Sequence, residues 1–276
     1  MTLSDPSFHA LRFGRAAGGY EARAGIQARM AGTLVDLWGD RPAPTSILEF
    51  GCGTGLLTAR LRARFPAASV LSTDAAAGMI EAARLRYPDS GAHHPDFAEQ
   101  DAGGAQPPAR VVAARAPYDL IAAGALVQWF PDLERHFRFA GSLTASGGRY
   151  LVSGFARQNF PELNALLSEP PFSYTRFPGH EPEAVERAAT AAGWNTLAML
   201  AWEEKEILPN PRQVLRLLQD LGSVRDPREG GAMNRRNLAW LLEEYERRFS
   251  EPAAESGAGG VRLTWKPWAA LLERKA

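Results

Sequence analysis

Ser46-Ile47-Leu48-Glu49-Phe50 runs into Gly51-Cys52-Gly53-Thr54-Gly55, after which Leu57, Leu61 and Phe65 recur at i, i+4 and i+8. The first five residues read as a short buried strand, the glycines as a tight turn and the spaced apolar residues as one face of a helix. Pro66 closes that helix, Val70-Leu71-Ser72-Thr73 forms a second strand with Asp74 at its end, and Met79, Ile80 and Ala83 mark the buried side of another helix. Ile47 to Asp74 is therefore a βαβ unit. Three glycines at alternating positions let the backbone turn sharply, approach a ligand and aim the free N–H groups of the next helix at an anionic group. A dinucleotide fingerprint spaces its glycines G-x-G-x-x-G. Here the spacing is G-x-G-x-G with Leu56 following, which weakens a nicotinamide reading.

Upstream, Tyr20, Ile26, Met30, Leu34 and Leu37 recur near helical spacing until Gly39, Pro42 and Pro44 interrupt, so residues 8–40 read as an N-terminal helical segment. Downstream, Ser90 to Pro117 reads as loop, with a strand near Phe97 only weakly marked. Tyr118-Asp119-Leu120-Ile121-Ala122-Ala123 is a clear strand, Leu133, Phe137 and Ala140 follow at helical spacing, and a Ser146-Gly147-Gly148 turn leads into the strand Arg149 to Ser153. A helix over about Glu181 to Ala192, a strand around Leu197 to Trp202, two helices within Pro211 to Phe249 and a last strand at Val261 to Trp265 complete the chain. Strands alternating with helices predict an α/β sandwich whose parallel strands end on one ligand-binding edge. Residues 1–276 read as a single domain, with 209–260 inserted as a cap between the last two strands.

The composition bounds the function. With 276 residues, 45% of them hydrophobic, and 31 basic against 31 acidic side chains, the chain can bury a core without disulfides. Zero net charge argues against sequence-independent nucleic-acid binding, which needs a concentrated basic surface. Cys52 is the only cysteine, which excludes an internal disulfide framework or a multi-cysteine zinc site and fits a reducing compartment. No histidine or other metal-ligand spacing accompanies it, so neither a metal site nor a cysteine nucleophile is expected. Met1 to Tyr20 has no apolar signal-peptide core, and no later run approaches the roughly 18 to 20 apolar residues of a spanning helix. A cytoplasmic protein without membrane contact is the expectation.

Glu49-Phe50-Gly51-Cys52-Gly53-Thr54-Gly55, with Asp74 after the next strand, resembles the first motifs of class I S-adenosylmethionine-dependent methyltransferases. The resemblance implies a Rossmann-like, mostly parallel seven-stranded sheet with helices on both faces. It also implies a donor site in which the glycine turn (Gly51, Cys52, Gly53, Gly55) meets the methionine part, Asp74 takes the two ribose hydroxyls and Glu49 holds the turn or the ammonium group. Ala75, Met79, Asp101, Ala102 and Ala123 complete the cofactor set, Asp101 lying near the adenine amine. A carboxylate accepting two hydroxyl hydrogen bonds is physically suited to the ribose role.

Phe13-Gly14-Arg15-Ala16-Ala17-Gly18-Gly19-Tyr20 followed by Gln27, then Leu126-Val127-Gln128-Trp129-Phe130, Phe160-Pro161-Glu162-Leu163 and Val261-Arg262-Leu263-Thr264-Trp265, resemble more narrowly the malonyl-acyl-carrier-protein O-methyltransferases of biotin synthesis. Ala123-Gly124 departs from the Ser-Asn pair often found in that family. The implied reaction is methylation of the free carboxylate of malonyl-acyl-carrier protein or malonyl-CoA, early in pimeloyl and biotin synthesis. That carboxylate is ionised at neutral pH, so transfer needs orientation and no general base. Tyr20 and Gln128 are then the neutral donors beside the reacting atoms, Trp129 and Arg176 contact the substrate, and Arg235 and Arg236, with Arg225 and Arg228 nearby in sequence, offer an acidic carrier a basic face. Methylation of another small acid of the trans-aconitate kind stays open, as does a non-methylating assembly factor or hydroxylase. The cap speaks mildly against the first and the Gln128-Trp129 pair against the second.

Overall fold

A computed structural model describes residues 25–87, 95–170, 172, 179–220, 234–252 and 259–276. In chain order these form α1 (Gly25–Asp36), β1 (Ser46–Phe50), α2 (Leu56–Arg64), β2 (Ser69–Asp74), α3 (Ala77–Arg86), β3 (Asp96–Glu99), α4 (Arg110–Arg115), β4 (Tyr118–Ala123), a single 3₁₀ turn (Val127–Trp129), α5 (Leu133–Leu143), β5 (Thr144–Phe155) and α6 (Pro161–Leu167). There follow α7 (Pro182–Ala191), β6 (Trp194–Ala201), β7 (Glu204–Leu208), α8 (Pro211–Asp220), α9 (Arg235–Phe249), β8 (Ser250–Glu251), β9 (Gly260–Trp265) and β10 (Pro267–Arg274).

Seven strands make one sheet in the order β3-β2-β1-β4-β5-β10-β6, parallel except for β10, which runs antiparallel to both β5 and β6. Both faces are covered, so the central strands alternate between two apolar cores instead of between core and water. Ile47, Leu120, Ala122, Leu151, Ala269 and Leu271 join Leu34 and Trp38 of the N-terminal region and Leu57 and Leu61 of α2 on one side. Leu48, Phe50, Ile121, Ala123, Tyr150 and Val152 join Phe137 of α5 and Val185 of α7 on the other. Reversal of strand order at β1 and β4 opens the sheet's carboxyl edge there, where ligands bind in open α/β sheets.

The cap differs from the expected insertion over 209–260. The chain leaves the large sheet after β6 and returns only at β10. β7, β9 and β8 form a separate three-stranded antiparallel sheet, and Val261 to Trp265 belongs to it. The strand that closes the large sheet is β10, one residue further on. Val261, Leu263 and Trp265 turn instead into a third core with Val214 and Leu218 of α8, Leu241 and Tyr245 of α9, Leu163 of α6 and Ile26 and Met30 of α1. Ser90 to Pro117, expected as loop, contains β3 and the short α4. The Ser146-Gly147-Gly148 turn is absorbed into β5 as an irregularity in its pairing with β4, with Gly147 at φ +69°. Of the expected helical segment 8–40, residues 8–24 lie outside the described residues, α1 covers Gly25–Asp36, and 37–40 form a turn.

Candidate active site

β1 ends in the glycine turn, and the turn is set by its backbone. Gly51, Gly53 and Gly55 have φ of +65°, +53° and +88°, a region that other residues enter only with strain. The Cys52 N–H donates to Thr73 O at 2.9 Å and the Gly55 N–H to Cys52 O at 2.9 Å. A Cβ on Gly51 would sit 2.8 Å from Leu126 Cδ1, so any larger residue there would have to push the Leu126 side chain aside as well as strain the turn. A Cβ on Gly53 meets nothing within 4 Å, because that residue faces open space. No side chain caps α2, which begins at Leu56. The turn, Gln27 and Ala31 of α1, Leu56 and Leu57 of α2, and Gly124 and Ala125 after β4 enclose a cleft of 380 Å³, the solvent at its mouth included.

Two carboxylates stand beneath it. Asp74 closes β2. Its Oδ2 accepts from the Gly53 N–H and its Oδ1 from the Ala76 N–H, each at 2.9 Å. Burial pushes its carboxyl up from the usual range against those backbone donors. Glu49 is fully buried, its Oε2 accepting from Thr58 Oγ1 and Ser72 Oγ at 2.6 Å each, while Oε1 has no partner. Burial pushes the Glu49 carboxyl up to about 7, the two hydroxyls opposing and Asp74 adding to the rise. Gln27 Oε1 and Thr54 Oγ1, on residues that line the cleft, are likewise buried without partners. Buried polar atoms left unpaired in a native protein call for an explanation. Gln27 Oε1 and Thr54 Oγ1 at the cleft, with Glu49 Oε1 unpaired in the adjoining strand β1, fit the ammonium and carboxylate of a methionine moiety, and a carboxylate that already braces the turn fits a diol. The residues present therefore fit S-adenosylmethionine.

The expected site residues separate into groups. Glu49, Cys52 and Asp74 gather at the turn. Cys52, however, points its side chain down against Ile80, Ala83 and Phe97, and burial pushes its thiol well up, Glu49 and Asp74 contributing. Ala75 is exposed and Met79 buried at the start of α3. Asp101 and Ala102 lie in the turn after β3. The Ala123 side chain is buried in the core, and Gly124 and Ala125 line the cleft in its place. Gln128, expected to offer its amide to the substrate, is not among the described residues that line the cleft. It is buried, and its Nε2 donates to Ala125 O at 2.6 Å. Ala125 has φ +50°, and its N–H donates to Ser153 Oγ at 3.1 Å, so Gln128 and Ser153 together hold a strained residue in the cleft wall. Trp129 is half-buried at the end of the 3₁₀ turn. Arg235 and Arg236 are exposed on the first turn of α9 and do not line the cleft. Tyr20, Arg15, Arg176, Arg225 and Arg228 lie outside the described residues.

Sequence reasoning missed Gln27, Thr54, Ala125 and Ser153 as participants. Gln27 stood in a quoted motif without a role. Nothing in the spelling of Ala125 announces a left-handed residue. Among the described residues no group of three or more histidine, cysteine, aspartate or glutamate side chains could hold a metal ion, and no helix is long and apolar enough to cross a membrane.

Residues 48–150 match the family described as a methyltransferase domain. The malonyl-(acyl-carrier protein) O-methyltransferase of Acetivibrio thermocellus is 35% identical over 163 residues, 59% of this chain and 54% of that one. The enzyme of the same name from Hahella chejuensis is 31% identical over 252 residues, 88% of this chain and 84% of its own. The YcgJ protein of Bacillus subtilis shares the fold, with a TM-score of 0.57 at 17% identity over 90% of this chain and 99% of that one. A relative 31% identical over 88% of this chain, beside a glycine turn and acids that suit a sulfonium donor, shows the family: the chain belongs to the malonyl-(acyl-carrier protein) O-methyltransferase family.

Proposed function

We propose that the protein methylates the free carboxylate of a malonyl thioester carried on acyl-carrier protein, giving the methyl ester early in biotin synthesis. The observation that carries this reading is the cleft's lining. Among the described residues, Cys52 is the only ionisable side chain lining it, and burial pushes that thiol well up. A described lining without a base suits an acceptor that arrives already ionised better than it suits an alcohol or a protonated amine.

S-adenosylmethionine supplies a sulfonium-activated methyl group. Asp74 holds the ribose diol while bracing Gly53, and Glu49 Oε1 with Gln27 Oε1 takes the ammonium. Gly124 and Ala125 shape the side on which the acceptor enters. Holding two reactants in line is worth as much as about 7 to 11 kcal/mol, enough to make orientation the enzyme's main contribution. Tyr20 and Arg176 complete the acceptor side in this reading, Tyr20 as a neutral donor near the methyl and Arg176 offset from the attacking oxygen. Trp129 borders it. Arg235 and Arg236 receive the acidic carrier. Residues 204–265 act as the cap over this side, and 1–276 works as one domain.

The test is mass spectrometry of malonyl-acyl-carrier protein incubated with enzyme and S-adenosylmethionine. The expected product carries one added methyl that a carboxylesterase removes. No added mass, from protein verified to bind S-adenosylhomocysteine, overturns the substrate assignment. Malonyl-CoA, assayed alongside, separates carrier recognition from recognition of the acyl group.

A further inference from the structure

His136 of α5 is fully buried and takes no part in the cleft. Its Nδ1 lies 2.6 Å from Ala102 O and its Nε2 2.7 Å from the Tyr150 hydroxyl. A carbonyl can only accept, so Nδ1 carries the hydrogen, and the neutral ring presents its Nε2 lone pair to the Tyr150 O–H. Burial pushes the imidazole down to about 4 and the phenol well up, so neither ionises near neutral pH. Tyr150 thus selects the tautomer that holds Ala102.

Ala102 is the middle of three consecutive residues whose carbonyls are each taken by a side chain. Gln100 Nε2 donates to Asp101 O at 2.7 Å, His136 Nδ1 to Ala102 O, and Arg135 Nε to Gly103 O at 3.2 Å. Asp101 Oδ1 closes the turn by accepting from the Gly103 N–H at 3.1 Å. The same imidazole stacks on Phe130, ring centroids 4.7 Å apart, directly after the Gln128-Trp129 turn. His180 Nε2 lies 2.9 Å from Phe130 O, where it donates. One buried ring therefore touches both the turn after β3 and the segment after β4.

We propose that His136, oriented by Tyr150, is a positioning residue for the adenosyl end of the donor site. It fixes the Asp101–Gly103 turn and so sets donor affinity without touching the donor. The inference rests on the reading of Asp101 and Ala102 as the adenine side. An asparagine places an amide N–H near the position of Nδ1, whereas a glutamine amide reaches the position of Nε2 and leaves Ala102 O without its donor.

Calorimetric titration of S-adenosylhomocysteine and 5′-methylthioadenosine into wild type, His136→Asn and His136→Gln tests it. His136→Gln is expected to bind both ligands about tenfold more weakly, the size of one lost hydrogen bond to a buried carbonyl. His136→Asn is expected to stay within about twofold of wild type, and neither variant is expected to change KM for the malonyl thioester. Equal affinities in the two variants, whether both tight or both weak, overturn the proposal, since core packing alone does not distinguish which ring nitrogen is mimicked. Wild-type protein that binds neither ligand overturns the donor-site reading itself. Wild-type binding matched by His136→Gln overturns this inference alone.

Discussion

In the proposed donor site, donor binding depends on pH through Glu49. Its carboxyl, pushed up to about 7 by burial, is largely protonated below neutrality, and an ammonium brought to Oε1 favours the ionised form. Binding then releases a proton, so affinity for S-adenosylhomocysteine is expected to tighten from about pH 6 to about pH 8 and then level. Calorimetry in buffers of different ionisation enthalpy reads the released proton, and Glu49→Gln should remove both the release and the pH dependence. A flat wild-type profile contradicts the assignment. In the unliganded protein the sign is opposite. The folded state holds this proton more tightly than the unfolded chain with its ordinary value of 4.5, so the contribution to stability is complete below that value and is lost as pH rises to about 7. Gln128 reaches the cleft wall through its hydrogen bond to Ala125 O. Gln128→Leu leaves Ala125 O without its donor and should lower kcat/KM about tenfold. Adding Ala125→Gly, which adopts φ +50° without strain, should restore much of it. Failure of the glycine to rescue would point to direct contact between Gln128 and substrate.

Among the elements, the small sheet is tied to α6 by charge as well as by apolar packing. Glu162, 2% exposed in the first turn of α6, accepts from Arg262 Nε at 3.0 Å, from the Thr264 N–H at 3.1 Å and from Thr264 Oγ1 at 2.5 Å. This joins two motifs that lie about a hundred residues apart. Phe160 precedes the helix at φ +59° and donates its N–H to Thr264 O at 3.1 Å, so the entry to α6 is shaped by β9. Glu162→Ala leaves the buried Thr264 N–H and hydroxyl without their acceptor, while Arg262 keeps Glu251, and should cost about 2 kcal/mol in denaturant unfolding. Arg138→Ala breaks only the exposed pair with Glu134 on α5 and should leave unfolding unchanged. Equal effects would mean that the Glu162 cluster does not hold the cap.

At the scale of the whole molecule, the periodic parts of the fold were legible and the cooperative parts were not. β1, α2, β2 and β4 follow from apolar spacing and glycine placement, because each buries a pattern that local sequence spells. β10 escaped notice because Pro267 reads as a breaker, yet proline is tolerated at the first residue of a strand. Its arrival shifts β9 into the small sheet, a decision made by which core Val261, Leu263 and Trp265 fill. Glu49 and Asp74 were legible from strand ends. The Tyr150–His136–Ala102 relay was not, since its members come from three separate elements. Charge is also a property of the whole surface. Arg212 and Arg216 on α8 and Arg235 and Arg236 on α9 are exposed on helices that pack together. The last two sit at a helix N-terminus, where a cation opposes the dipole, so helix stability does not account for them. Reversing both to glutamate should raise KM for malonyl-acyl-carrier protein about tenfold at low ionic strength, spare malonyl-CoA and leave Tm unlowered. Equal effects on both substrates remove this face from carrier docking.

The most direct measurement presents the enzyme and radiolabelled S-adenosylmethionine with malonyl-acyl-carrier protein and acetyl-acyl-carrier protein in parallel. The two share the whole carrier surface and differ in the free carboxylate. Esterase-labile label on the malonyl form alone is the predicted result. Label on both, or on neither from protein that binds S-adenosylhomocysteine, would contradict transfer to a malonyl carboxylate.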